Sequence, residues 1–242
     1  MSDPFDYSSF LRSACSKAWK KTGVSRRAGV TTPLFSIYSS KSIGIGEAPD
    51  LKALVDWCGE TGISLIQLLP LNDVGFDFRP YDSQSSLALD PMYLSLESLK
   101  GCDISAAGAG IAALRKNFPP GRKRVDYGIK KAKLDILAKI FRQFTIPHAE
   151  KAFKAFIKKH DAWLHDYAVF KTIKSRHNFS GWTDWPDELR GKDPAAVEKF
   201  ADQYAEEILF HKWLQWQLFE QFSDARAYAS KNGVILMGDM PF

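Results

Sequence analysis

The run Ile63-Ser64-Leu65-Ile66-Gln67-Leu68-Leu69-Pro70-Leu71 constrains this chain more than any other segment. Its near-continuous apolar character predicts a strand buried on both faces, and such strands belong to parallel sheets covered by helices. Upstream, Ala28 to Ile37 reads as another strand, followed by the glycine loop Ile43-Gly44-Ile45-Gly46. A helix is predicted from about Pro49 to Glu60, with Leu51, Leu54, Val55 and Cys58 as its buried stripe and Gly62 as its stop. Strand, helix and strand in succession make a βαβ unit with a right-handed crossover. Near the other end, Gly233-Val234-Ile235-Leu236-Met237-Gly238-Asp239 predicts a third buried strand.

The middle of the chain is helical in pattern. Helices are expected over 8–20, 104–116, 127–144, 148–159, 161–176 and 194–230, the last ending at a left-handed stop, Asn232-Gly233. These are too many for one crossover, so a helical subdomain is expected to be inserted. The organisation read from pattern is α/β. Residues 1–99 carry the first strands and a polar loop over 72–91, 100–230 the insertion and crossover helix, and 231–242 a further strand. A loop of that length inside a compact domain is usually functional. Two architectures stay open, a small open sheet or the first strands of a larger barrel.

The 242 residues carry a formal net charge of +5. Basic residues are spread along the chain and mixed with acids, which argues against a nucleic-acid surface. The densest groups, Arg122-Lys123-Arg124, Lys130-Lys131 with Lys133, and Lys158-Lys159, read as solvated helix faces. Cys15, Cys58 and Cys102 are far apart and lack CxxC spacing, as expected of reduced thiols. Met1-Ser2-Asp3-Pro4 shows no signal-peptide pattern. No apolar run reaches the ~18 residues of a membrane span. The expectation is a cytoplasmic protein without nucleic-acid or membrane partners.

Parallel α/β folds place their sites at the C-terminal ends of strands. Here that rule selects Tyr38 to Glu47, Asn72 to Pro91, and Asp239. Gly44-Ile45-Gly46 lacks the third glycine of a dinucleotide fingerprint and reads as a tight turn. The segment Phe78-Arg79-Pro80-Tyr81-Asp82-Ser83-Gln84-Ser85-Ser86 sets an aromatic beside short polar side chains, a mixture suited to a polyol with apolar ring faces. Tyr81 reads either as a packed loop aromatic or as a ligand platform. Asp239 reads as a site carboxylate or as a cap for a following helix. His148, His160, His165, His177 and His211 form no HExxH pairing, and neither a Gly-x-Ser-x-Gly elbow nor a phosphate loop occurs. No metal or cofactor is expected.

Several motifs, in order from about residue 26 onward, resemble the 4-α-glucanotransferase family (amylomaltase or disproportionating enzyme, glycoside hydrolase family 77). They include Arg26-Arg27-Ala28-Gly29-Val30, Gly44-Ile45-Gly46, Gln67-Leu68-Leu69-Pro70-Leu71, and the loop Pro80-Tyr81-Asp82-Ser83-Gln84-Ser85-Ser86 running on to Asp90-Pro91. Val125-Asp126-Tyr127, Trp163-Leu164-His165-Asp166-Tyr167, Trp182-Thr183-Asp184-Trp185-Pro186, Gln215-Trp216 with Gln221, and Gly238-Asp239-Met240-Pro241-Phe242 complete the set. Asp90 departs from it, since the family usually has Asn there. The resemblance implies a (β/α)8 barrel and retaining transfer between α-1,4-glucans or maltooligosaccharides. On it, Tyr81 matches a tyrosine stacked on the sugar at the cleavage site, and Asp239 an aspartate lining the site. The expected substrate-binding residues are Tyr81, Ser83, Ser85, Asp90 and Asp239.

The family's nucleophile aspartate, acid/base glutamate and stabilising aspartate lie in motifs after the Gly-Asp-Met-Pro segment, and the sequence stops at Phe242 before them. No catalytic residue is therefore expected here, and the polypeptide alone is expected to be inactive. The alternative expectation is a non-catalytic maltooligosaccharide-binding chain, or one that complements a C-terminal half chain.

Overall fold

Three short parallel strands, β1 (Gly29–Thr32), β2 (Leu65–Leu68) and β3 (Ile235–Met237), lie side by side in that order in the computed structural model, which describes residues 6–143 and 151–241. The register pairs Gly29 with Leu65 and Ile235, and Thr31 with Gln67 and Met237. β1 is shorter than its sequence pattern suggests. Pro33 cannot donate to the ladder, and the chain turns into a 3-10 segment at Leu34–Ser36.

β2 also corrects the expectation of burial on both faces. Ile66 and Leu68 are buried while Leu65 and Gln67 are only half-buried. Ile66 packs in one core cluster with Val55 and Cys58 of helix α3 and with Ala225 and Ala229 of helix α9, described below. Full burial of a side chain such as Ile66 is worth about 1.5–3 kcal/mol. The opposite row, Thr31, Gln67 and Met237, lacks such a covering layer among the described residues, and Met237 is 40% exposed. The apolar run is thus a two-sided strand with one side covered here.

The helices are α1 (Ser8–Leu11), α2 (Ser16–Thr22), α3 (Leu51–Thr61), α4 (Gly108–Asn117), α5 (Gly128–Gln143), α6 (Lys151–Arg176), α7 (Asp187–Arg190), α8 (Pro194–Gln203) and α9 (Ala205–Lys231). The single amphipathic helix expected over 8–20 is two short helices that bury no residue. The two helices expected between 148 and 176 are one, because nothing between Lys151 and Arg176 breaks it; residues 148–150 lie outside the described residues. The long helix expected from 194 is interrupted at Tyr204 and stops at Gly233, whose φ of 71° only glycine adopts readily.

α3 starts where predicted, and its start also fixes the loop before it. The Asp50 carboxylate accepts from the Glu47 N–H at 2.7 Å and from the hydroxyls of Ser39 and Ser42 at 2.7 and 2.8 Å. A Cβ at Gly46 would overlap the carbonyl oxygens of Leu34 and Ile37, so this glycine serves close backbone packing. α6 packs along α9. α9 also holds the irregular segment from Leu89 to Lys100 through three buried glutamines. Gln215 both donates to and accepts from the Leu89 backbone (2.8 and 2.9 Å), Gln221 does so with Ser95 (2.9 and 2.9 Å), and Gln217 with Lys100 (2.9 and 2.8 Å).

Candidate functional site

The loop from Asn72 to Pro91 leaves the C-terminal end of β2 and is ordered by its own backbone. Asn72 and Leu89 form an antiparallel bridge, the Asp73 N–H donates to the Ala88 carbonyl at 2.9 Å, and the Gln84 N–H to the Asp73 carbonyl at 2.7 Å. Ser85 closes the turn, its hydroxyl accepting from the N–H groups of Leu87 and Ala88 at 3.2 and 3.0 Å. Its carbonyl accepts from Asn72 Nδ2 at 3.1 Å. Farther out, the Tyr81 hydroxyl donates to Asp239 Oδ2 at 2.8 Å. That bond joins the loop after β2 to the end of β3 across 158 positions. It also favours the protonated phenol, which raises the Tyr81 pKa. Asp239 Oδ1 accepts from the Met240 N–H at 3.0 Å. Asp239 stands two residues beyond Met237, the last residue of β3.

Beneath the loop lies a cluster of buried charges. Lys130 Nζ donates to Asp73 Oδ1 at 3.1 Å, to Asp90 Oδ2 at 2.8 Å, and to the Gly75 carbonyl. Lys171 pairs with Asp73 Oδ2 at 2.7 Å, and the Tyr167 hydroxyl donates to that same atom at 2.7 Å. Asp90 also accepts from the N–H groups of Met92 (2.9 Å) and Val74 (3.2 Å). Burial alone would raise the Asp73 carboxyl, but the charges of Lys171 and Lys130 hold it well below its usual range. For Asp90, burial outweighs Lys130 and the pKa is raised. Lys130 is also raised, since Asp90 and Asp73 overcome the effect of burial. A second buried pair, Lys133 with Glu47 at 2.5 Å, joins α5 to the start of α3; burial raises the Glu47 pKa.

The lysine cluster also shapes the loop tip. Lys130 Nζ lies 5.5 and 5.8 Å from the ring centroids of Phe76 and Phe78. Phe78 stacks on Tyr127 at 4.3 Å and adopts φ of 61°. A non-glycine residue in that region costs of order 1–3 kcal/mol and persists only when its surroundings fix it. A cavity of about 400 Å3 opens beside the cluster, lined by Phe76, Lys171, Phe179 and His211 among others. Among the described residues, no three His, Cys, Asp or Glu side chains stand together as metal ligands.

The chain has known relatives. A family model described as 4-alpha-glucanotransferase matches residues 32–242. The chain belongs to the 4-alpha-glucanotransferase family. A 4-alpha-glucanotransferase of Chlamydia pneumoniae is 36% identical over 234 residues, covering 93% of this chain and 43% of that protein. The enzyme DPE2 of rice is 36% identical over 89% of this chain and 24% of its own length. Among solved structures, the amylomaltase of Streptococcus agalactiae in complex with acarbose superposes with a TM-score of 0.69 at 22% identity, covering 89% of this chain and 43% of that one. That of Corynebacterium glutamicum gives 0.71 at 20% identity, covering 94% and 31%. The chain thus shares the amylomaltase fold and spans less than half the length of these relatives.

Against that family, the expected site residues divide. Tyr81 and Asp239 are brought together at the edge of the sheet. Ser83 and Ser85 are half-buried in the same loop, Ser85 with its hydroxyl committed to the turn. Asp90 is fully buried, and its partners are Lys130 and the backbone of Val74 and Met92. Its carboxylate pairs with the buried ammonium of Lys130 beneath it. Lys130 and Lys133 are corrections to the sequence reading. They are 2% and 0% exposed, not a solvated face. Their signal was spacing, since both fall on the helical stripe of Leu137 and Ile140.

Proposed function

We propose that this chain forms the leading part of a retaining 4-α-glucanotransferase acting on α-1,4-glucans or maltooligosaccharides in the cytoplasm. On this reading Tyr81 presents its ring to the sugar at the cleavage site, and Asp239 holds the phenol while lining the same site. The hydrogen bond between them carries the reading, because it gathers two distant motifs at the C-terminal edge of a parallel sheet, where such folds place their sites. Ser83, Ser85 and Asp90 shape the loop. The full architecture we infer is a (β/α)8 barrel with 100–230 as its helical insertion. The uncovered row Thr31, Gln67 and Met237 is then an inner barrel face.

Retaining transfer needs a nucleophilic carboxylate and an acid/base carboxylate about 5–5.5 Å apart. We assign both to sequence outside these 242 residues, in the same polypeptide or in a complementing chain. A polypeptide of these 242 residues incubated with maltotriose should yield neither longer nor shorter maltooligosaccharides. Clear disproportionation would sink that assignment. In the full-length protein, Tyr81→Ala should lower kcat/KM for maltotriose at least about tenfold, from the lost ring contact. Unchanged transfer would remove the loop from the site.

A further inference from the structure

The helical region holds a second cleft that the reading above does not use. Its volume is about 580 Å3, inside the range of about 300–1,000 Å3 typical of small-molecule sites. Trp163, Phe170 and Trp185 supply aromatic walls, and Gln84, Ser85 and Asp166 add polar groups. The Trp163 ring is half-buried, and its indole N–H donates to His160 Nδ1 at 3.3 Å, which fixes its orientation. Trp185 is 7% exposed, with its ring centroid 5.6 Å from that of Phe170. Its indole N–H is buried without a hydrogen-bond partner among the described residues.

The aromatic and polar parts of this lining point to one kind of ligand. An ordered, partly open tryptophan face is a stacking surface for a flat apolar patch. A ligand with apolar ring faces and many hydroxyls matches this mixture of aromatic wall and polar groups. We propose that this cleft binds a glucosyl segment of an α-glucan, stacked on Trp163, with its hydroxyls toward Gln84, Ser85 and Asp166. The proposal rests on the α-glucan reading given above. It also ties the cleft to the loop that carries Tyr81. Gln84 Oε1 accepts from Lys171 Nζ at 3.0 Å, and the Gln84 N–H is bonded to Asp73.

The test uses the full-length protein with maltoheptaose and glycogen as probes. Saturating maltoheptaose should protect Trp163 from hydroxyl-radical oxidation, and the protection should persist in Tyr81→Ala. Trp163→Ala should weaken glycogen binding in affinity electrophoresis by about three- to tenfold, with Trp163→Phe retaining most of it. Asp166→Ala changes an exposed residue, so it keeps the fold and should also weaken binding. Trp163 oxidised at the same rate with and without maltoheptaose, or parental glycogen affinity in the Trp163 and Asp166 variants, overturns the proposal. That failure is distinct from failure of the Tyr81 reading, which shows as undiminished maltotriose transfer in Tyr81→Ala.

Discussion

The loop from Asn72 to Pro91 has charges at its base and at its tip, and the two sets differ in kind. At the base, Asp73 and Asp90 are both fully buried and share Lys130. At the tip, Arg79 pairs with Asp77 and Asp82, with side chains 68%, 49% and 50% exposed. The base charges have left water, so each depends on its partners and cannot lose one cheaply. The tip charges remain hydrated and their pairing is worth little. A loop can thus be rigid where it leaves the sheet and adjustable where it meets a ligand.

The largest expected effect tests the base. Lys130→Ala should cost about 3–5 kcal/mol in chemical denaturation, since it strands Asp90 and halves the pairing of Asp73. Combining Lys130→Met with Asp90→Asn should recover more than about half of that loss, because the uncompensated carboxylate is gone. If the double change is no better than Lys130→Ala, then Asp90 is not the partner that matters.

A middle effect comes from His211, at the edge of the same cluster. Burial first, then the Lys171 charge, pushes its pKa down to about 3. The unfolded chain binds a proton near pH 6.5 and the folded chain does not, so stability falls as pH drops from roughly 6.5 toward about 3. About 1 kcal/mol should be lost by pH 5, a discounted value because the residue keeps some contact with water. His211→Gln should flatten that limb of a pH titration of the denaturation midpoint. An unchanged acid limb would place its origin elsewhere.

The smallest effect tests the tip. Arg79→Ala should change stability by less than about 0.5 kcal/mol. A loss comparable to that of Lys130→Ala would erase the distinction between tip and base.

What could be read in the sequence follows the range of the interactions involved. α3 was legible to within a residue or two because its stripe, its start and Gly62 are local signals. The three strands were legible as apolar runs, but their lengths were not, since Pro33 ends β1 and the ladder is short. The break at Tyr204 has no glycine or proline to announce it. Tyr81 and Asp239 each stood out, yet their bond spans 158 positions and no local pattern encodes it. The buried lysines were missed for another reason. Composition assigns lysine to the surface, and only the carboxylates of Asp73, Asp90 and Glu47, from other segments, make burial tolerable.

Gln215, Gln217 and Gln221 have a consequence for how the chain can vary. Each offers its amide to one residue's N–H and C=O together, as a neighbouring strand would. Through these three amides α9 acts as a template that reads main chain, and the Lys100 ammonium adds an exposed pair with Asp224 of the same helix at 3.2 Å. The three amides thus hold the length of that stretch, while its buried side chains, Asp90, Met92, Tyr93, Leu94 and Leu96, restrict its composition. A carboxylate in place of any of the three amides would accept but could not donate, and the template would lose one of its teeth.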